Sequence, residues 1–196
     1  MTNNVLALRT VPYAHHLIPP SSKHLANHRN SKRQNDLLAF LQSPILTLGG
    51  RVYLTDITLA NHPFTVVIDT GSSDTWVASS SFECLDPESY GRIDTRYCVF
   101  NRTFDPQNSA TWRGVEGWQF SVNYTGGEFL LGELGKEELG IGEEKNGRLT
   151  VNQTVGVVRS GYWVGDGISS GLMGLAYSAL VSGAQELRYT SVMVTL

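Results

Sequence analysis

The chain has 196 residues, which is enough for one domain with a sizeable core, or for one domain and a tail. Its composition, 41% hydrophobic and 17% charged, is that of a globular protein, and no stretch is long enough to cross a membrane. The formal net charge of -3 gives no reason to expect nucleic acid as a partner.

The first 43 residues differ in character from the rest. They hold five of the fifteen Lys and Arg residues but one of the eighteen acidic residues, so a basic leader precedes an acidic domain over residues 44–196. Its Pro-Pro and Ser-Ser pairs predict a flexible segment that ends in a short helix or strand at residues 37–41. The leader shows no signal-peptide apolar core. Its four histidines fit a solvated tail better than a metal site.

From residue 51 onward the chain has the pattern of β-structure. Val52, Leu54, Ile57 and Leu59 lie among Thr and Tyr residues and predict a strand. The Asn-His-Pro at residues 61–63 predicts a turn, and the apolar run at residues 64–68 predicts a buried strand.

Two hairpins are predicted further along. Apolar and polar residues alternate over residues 118–124, Thr-Gly-Gly at 125–127 turns the chain, and residues 128–131 start a return strand. Asn146-Gly147 is a strong hairpin signal, after which apolar residues alternate again up to Val157. Many short strands, twenty glycines and no convincing long helix predict an all-β fold, as a stack of sheets or a barrel.

One stretch, VVIDTGSSDTWVAS at residues 66–79, carries the strongest functional signal. It places the carboxylate of Asp69 at the end of an apolar strand and follows it with Thr70, Gly71 and Ser72. A strand end holds an acid rigidly, Gly lets the backbone approach a substrate, and hydroxyls orient the acid. The stretch, with Trp76 shortly after, resembles the first active-site motif of the pepsin-like aspartic endopeptidases.

Further segments resemble the same family in the same order, over about residues 53–180. Residues 104–111 resemble its Phe-x-Pro...Ser-Ser-Thr stretch, and residues 120–127 resemble its flap hairpin. Residues 132–139 resemble Gly-x-Leu-Gly-x-Asp-x-Val, with Glu137 in the place of the Asp. Residues 170–177 resemble Asp-Gly-Ile-Leu-Gly-Leu-Gly-Tyr, with Ser170 in the place of the Asp. Residues 163–171 resemble a fungal subgroup.

The resemblance implies a fold and a set of roles. The family has two β-rich lobes with one catalytic Asp each, and this chain corresponds to the first, a barrel-like lobe. Asp69 takes the acid/base role, and no metal or organic cofactor is expected. The remaining roles divide into substrate binding by Gly71, Tyr124, Thr125 and Gly126 and active-site support by Thr70, Ser72 and Trp76. Without the motif order, core packing would be the favoured explanation of Trp76 and Tyr124.

The mechanism needs two carboxylates that share one proton. A second Asp-Thr/Ser-Gly motif does not occur in the sequence, and Asp166 is interpreted as structural. The expectation is therefore an aspartic endopeptidase with one catalytic Asp and an absent second lobe, or a non-catalytic lobe that binds peptides. Its partners are a peptide or protein substrate and either a second lobe or a second copy of the chain, as in the dimers of retroviral proteases. The resemblance implies a secreted or vacuolar location.

Cys84 and Cys98 are the only cysteines, and they either form a disulfide or remain packed thiols. Family resemblance and export favour the disulfide. Three N-glycosylation sequons begin at Asn101, Asn123 and Asn152. The basic leader resembles a zymogen pro-segment, although a tail explains it equally well, and no family pattern is evident after residue 180.

Overall fold

Seven strands form a single mixed sheet in the computed structural model, which describes residues 52–141 and 148–181. They are β1 (Tyr53–Leu59), β2 (His62–Asp69), β3 (Thr75–Cys84), β4 (Arg113–Asn123), β5 (Phe129–Ile141), β6 (Leu149–Tyr162) and β7 (Gly171–Gly174). Helical structure in these ranges is limited to three short 3-10 turns. The all-β prediction is confirmed, and no helix in the described ranges has the length and apolar character needed to cross a membrane.

The sheet closes on itself. Its strand order is β1-β2-β7-β3-β6-β5-β4, and β1 also pairs with β5, where Ile57 lies opposite Ile141. Six strands thus complete a ring, from which β4 extends as an outer strand paired with β5 alone. This closed sheet is the barrel-like lobe that the family resemblance implies. Closure leaves few unpaired strand edges.

The central strands are buried on both faces, which explains their nearly continuous apolar sequence. Val77 of β3 and Met173 of β7 lie in the larger core cluster, inside the barrel. Their chain neighbours Trp76 and Leu172 point the other way, into a second cluster. Successive residues of a strand face opposite sides, so each of these strands contributes to both clusters.

The second cluster lies against the hairpin that β4 and β5 form, which we call the flap. Phe120 of β4 and Leu130 of β5 are fully buried members of this cluster, and Trp118, Val122 and Tyr124 pack partly buried against it. The predicted alternation over residues 118–124 is therefore confirmed: its even positions face inward. The turn at residues 125–127 and the return strand, β5, are also as predicted.

The first turn lies one residue earlier than predicted. It consists of Ala60 and Asn61, which both have positive φ, 48° and 64°, while His62 and Pro63 already belong to β2. A two-residue hairpin loop of this kind needs positive φ at both central positions, which the proline ring forbids. The predicted turn at residues 61–63 was therefore wrong in its placement.

The second predicted hairpin is supported from its two ends. β5 and β6 pair along their whole length, up to Ile141 opposite Leu149. The Asn146-Gly147 turn itself, the whole basic leader with its predicted element at residues 37–41, and the chain after residue 181 lie outside the described residues.

Candidate functional site

Asp69 is the last residue of β2, and two neighbouring elements fix its backbone. β2 runs parallel to β7, with Asp69 opposite Gly174. The next residue, Leu175, donates its backbone N–H to the carbonyl oxygen of Asp69 at 2.7 Å. The apolar strands on either side are core elements, so the carboxylate starts from a rigid position.

Both oxygens of the Asp69 carboxylate accept hydrogen bonds from the loop that follows it. The backbone N–H of Gly71 donates to Oδ1 at 2.8 Å, and the Ser72 hydroxyl donates to Oδ2 at 2.6 Å. A β-carbon on Gly71 would lie 3.2 Å from Oδ1, which is tight, so glycine suits this approach. Donors on both oxygens hold the plane of the carboxylate in one orientation.

A second segment, residues 174–177, supports the loop from behind. Ala176 N–H donates to the carbonyl of Ser72 at 2.9 Å, and the Ser73 hydroxyl donates to the carbonyl of Tyr177 at 2.7 Å. A β-carbon on Gly174 would lie 2.5 Å from the backbone of Ser73, so only glycine fits. Sequence reasoning did not indicate the part that Ser73 plays in this support.

Asp74 is a second carboxylate beside the loop that sequence reasoning passed over. Its residue is 6% exposed, and its backbone carbonyl accepts a hydrogen bond from Gly174 N–H at 3.0 Å. In the sequence, Asp74 is an acidic residue five positions after Asp69. The ordinary composition of a turn explains such a residue, so sequence reasoning did not single it out.

Tyr124, the flap tyrosine of the sequence motif, lies on Trp76. The Trp76 indole N–H donates to the Tyr124 hydroxyl at 2.8 Å, and Trp76 is fully buried. Trp163 packs edge-on against both rings, with centroids 5.0 Å from Trp76 and 5.5 Å from Tyr124. Sequence reasoning missed the contribution of Trp163, because it lies in a loop far from both residues in the chain.

The environment of Tyr124 acts on its phenol. Burial raises the pKa of Tyr124 well above its ordinary value, and the hydrogen bond from Trp76 acts in the opposite direction. The negative charges of Asp69, Asp74 and Glu128 add to the rise in this pKa. Tyr124 therefore remains a neutral hydroxyl on the side of the flap that packs on Trp76.

The flap turn exposes the two residues that the motif assigns to substrate binding. Thr125 and Gly126 are exposed, and Gly127 closes the turn by donating to the carbonyl of Tyr124 at 3.1 Å with a φ of 92°. The positive φ explains the second glycine of the Thr-Gly-Gly turn. Thr70, assigned to support, is likewise exposed at the candidate site.

Glu128, which lies opposite Tyr124 across the flap turn, links the flap to the loop that carries Trp163. Its carboxylate accepts a hydrogen bond from the backbone N–H of Val164 at 3.1 Å. Burial raises the pKa of Glu128, and the hydrogen bond from Val164 partly offsets the rise. Nothing in the sequence distinguished Glu128 from an ordinary exposed acidic residue.

Two other acids have local structural contacts. Asp166 accepts hydrogen bonds from Ile168 N–H, Ser169 N–H and the Ser169 hydroxyl within its own loop. Glu137, which replaces the motif's Asp, is fully buried and accepts from Ser109 and Thr111. The two sequence segments that carry this part of the resemblance thus meet in space.

Cys84 and Cys98 form a disulfide across a sequence separation of 14, and both are buried. The loop between them reaches the flap, where Tyr90 packs on Phe129, the first residue of β5, with ring centroids 5.2 Å apart. Of the two alternatives for Cys84 and Cys98, the structure therefore contains the disulfide.

The comparisons agree with the motifs. The family model "Eukaryotic aspartyl protease" matches residues 52–195, which continues past the end of the motif resemblance at residue 180. A probable aspartic-type endopeptidase of Aspergillus fumigatus is 36% identical over 182 residues, 92% of this chain and 39% of that protein.

Two yeast proteins are more distant relatives. Candidapepsin of Candida tropicalis is 31% identical over 75% of the chain and 34% of its own length. Secreted aspartic protease 3 of Candida albicans is 30% identical over 74% of the chain and 33% of its own length. The chain thus spans between 33% and 39% of the length of these three relatives.

Proposed function

The chain belongs to the eukaryotic aspartyl protease family, and we propose that it supplies one catalytic lobe of an aspartic endopeptidase, with Asp69 as the catalytic carboxylate. One observation carries the proposal: Asp69 ends a core strand and accepts hydrogen bonds on both oxygens from Gly71 and Ser72. Asp69 is partly buried, and it lies beside the exposed residues Thr70 and Gly71, which leave this loop accessible to a substrate.

The proposed reaction is hydrolysis of a peptide bond by an activated water. Two carboxylates share one proton, because two like charges so close together do not both ionise. The ionised carboxylate takes a proton from the water as its oxygen bonds to the carbonyl carbon, and the other protonates the carbonyl oxygen. The C–N bond then breaks as the carboxylate that took the water's proton passes it to the amine nitrogen, while the other carboxylate takes back the proton of the former carbonyl oxygen. Gly71 and Ser72 hold Asp69 in position throughout.

The second carboxylate must come from outside this sequence, which holds one Asp-Thr-Gly and no further Asp-Thr/Ser-Gly motif. We propose a different lobe as its source. Two exposed side chains near the segment that supports the Asp69 loop favour a docked partner. Tyr177 is 85% exposed and Leu180 is 62% exposed. Large apolar side chains exposed together mark interaction surfaces.

In the proposed function, the flap covers the bound substrate. Tyr124, Thr125 and Gly126 close over a peptide of hydrophobic character, and Trp76 and Trp163 keep the Tyr124 ring in place. We propose acidic conditions for the reaction, since one carboxylate of the pair must hold a proton.

Export is part of the proposal. The disulfide supports it, because disulfides persist in oxidising compartments, and one relative carries the word "secreted" in its name. The basic leader at residues 1–43 is proposed as a pro-segment that leaves at low pH, when acidic partners lose their charge. A glycosylated, processed zymogen is the corresponding secreted form.

Cleavage of an unfolded protein substrate at acidic pH tests the proposal across a range of chain concentrations. The purified chain is measured alone and with the C-terminal lobe of a two-lobed family member. Cleavage that appears only with the added lobe supports the proposal. Cleavage by the chain alone that rises with the square of its concentration means that a second copy supplies the carboxylate.

The single Asp motif also supports a second candidate function, a peptide-binding lobe without catalysis. Binding of a pepstatin-type transition-state analogue separates the two. Binding without cleavage, even with the added lobe, favours the peptide-binding function and contradicts the endopeptidase proposal.

A further inference from the structure

We infer that Asn123 carries an N-linked glycan that lies on the outer face of the flap and leaves the face toward Asp69 free. The inference rests on the proposed export of the chain and the proposed role of the flap. Asn123 begins the sequon Asn-Tyr-Thr, immediately before the flap tyrosine, Tyr124.

The side chain of Asn123 is directed away from the candidate site by the alternation of the strand. Tyr124 points inward, onto Trp76, and the even-numbered residues Phe120 and Val122 pack in the same inner cluster. The odd-numbered residues of β4 from Gln119 to Asn123 are exposed. Because neighbours in a strand face opposite sides, Asn123 lies on the outer face.

Cross-strand neighbours identify what else lies on this face. Asn123 is opposite Phe129, and Ser121 is opposite Leu131. Phe129 packs under Tyr90 of the disulfide loop, and Tyr90 is 66% exposed while Leu131 is 43% exposed. A glycan attached here would stand beside apolar side chains that are half in solvent, and its bulk would lie outside the cleft.

The local backbone also favours this sequon over the one at Asn152. Asn123 is the last residue of β4, and its Thr125 lies in the exposed flap turn. Asn152 lies inside β6, paired with Glu138 of β5, although its side chain is exposed. Asn101 is exposed, but its backbone N–H is bonded to the carbonyl of Ser169 in a packed segment. Chain ends and turn tips accommodate bulky modifications most readily.

The test is secretion of the full chain from a eukaryotic host behind the host's secretion signal. The chain is recovered from the medium and from the endoplasmic reticulum, and glycans are removed enzymatically in heavy-oxygen water. Peptide mapping then identifies each modified asparagine as a labelled aspartate. A labelled Asn123 is expected, and an Asn123→Gln variant should lose one glycan. An unmodified Asn123 in either fraction overturns the inference, whatever the states of Asn101 and Asn152.

A matched pair of measurements tests the placement on the outer face. Ser121→Asn together with Asn123→Thr moves the sequon two residues along the same face, to a position inside β4, so this variant should fold like the parent but be glycosylated less fully. Native removal of the glycan from the parent should leave tryptophan emission unchanged, since Trp76 and Trp163 lie on the inner side. A shift in emission would place the glycan against the cleft and contradict the inference. Neither readout depends on proteolytic activity, so a failed protease assay leaves both interpretable.

Discussion

Trp76 donates its indole N–H to the hydroxyl of Tyr124 across 2.8 Å, which joins the core strand β3 to the tip of the flap. Trp76 is fully buried, and the Tyr124 hydroxyl is the partner of its indole N–H. The flap is therefore joined to the core by a hydrogen bond between side chains that are 48 residues apart.

Tyr124→Phe should lower the free energy of unfolding by about 1–3 kcal/mol, because it leaves a buried donor without a partner. Urea unfolding measures the loss. Tyr53→Phe is the matched control, since Tyr53 is 48% exposed on β1, and it should change stability little. Equal effects of the two changes would show that the Trp76 hydrogen bond does not stabilise the flap.

Glu137→Ala should lower the free energy of unfolding by about 1.5–3 kcal/mol, because it removes a charged acceptor from the Ser109 and Thr111 hydroxyls. Glu116→Ala, an exposed acid on β4, serves as the control and should be nearly neutral. Chemical unfolding of both variants at neutral pH checks this. A neutral Glu137→Ala would mean that the buried carboxylate is not a stabilising element.

Replacing both cysteines by serine should lower the free energy of unfolding by roughly 3 kcal/mol, since the disulfide closes a loop of about 14 residues. The packing of Tyr90 on Phe129 should weaken with it, because the loop then has more conformations open to it. Hydrogen exchange of the Phe129 amide reports the second effect. An unchanged exchange rate of the Phe129 amide would mean that the disulfide loop does not stabilise the flap.

Glu128→Gln should change how stability depends on pH. Burial raises the pKa of Glu128 above the ordinary 4.5, so the folded state holds its proton more tightly than the unfolded chain. The parent should therefore lose stability relative to Glu128→Gln as pH rises from below 4.5 toward neutral.

Unfolding midpoints at acidic and neutral pH measure this difference. Glu116→Gln is the control, and its difference from the parent should not vary in this direction. A Glu128→Gln variant whose relative stability is constant with pH would mean that the flap acid is not desolvated in solution.

The features that the sequence predicted are those that depend on neighbours along the chain. Asp69, its turn and the alternation of β4 follow from local patterns of apolar and turn residues. The packing of Trp163 on Tyr124 and the bond from Val164 to Glu128 join distant segments, and no local pattern indicates them. Asp74 was missed for the same reason, since its burial depends on the approach of Gly174.

The displaced first turn shows a different limit. Asn-His-Pro contains favourable turn residues, and their composition alone suggested residues 61–63. The strands pair so that a two-residue loop falls on Ala60 and Asn61, where alanine is an unfavourable choice because its φ is positive. Strand register thus overrode local preference.

The most direct test of the central claim compares cleavage by the parent, Asp69→Asn and Asp166→Asn at acidic pH, each with the C-terminal lobe of a two-lobed family member. The same chemical change is made at both aspartates, but Asp166 accepts hydrogen bonds from Ile168 and Ser169 in its own loop. The account predicts that Asp69→Asn abolishes cleavage while Asp166→Asn retains it. Cleavage that survives in Asp69→Asn, or that is absent from the supplemented parent, would contradict the assignment of Asp69 as the catalytic carboxylate.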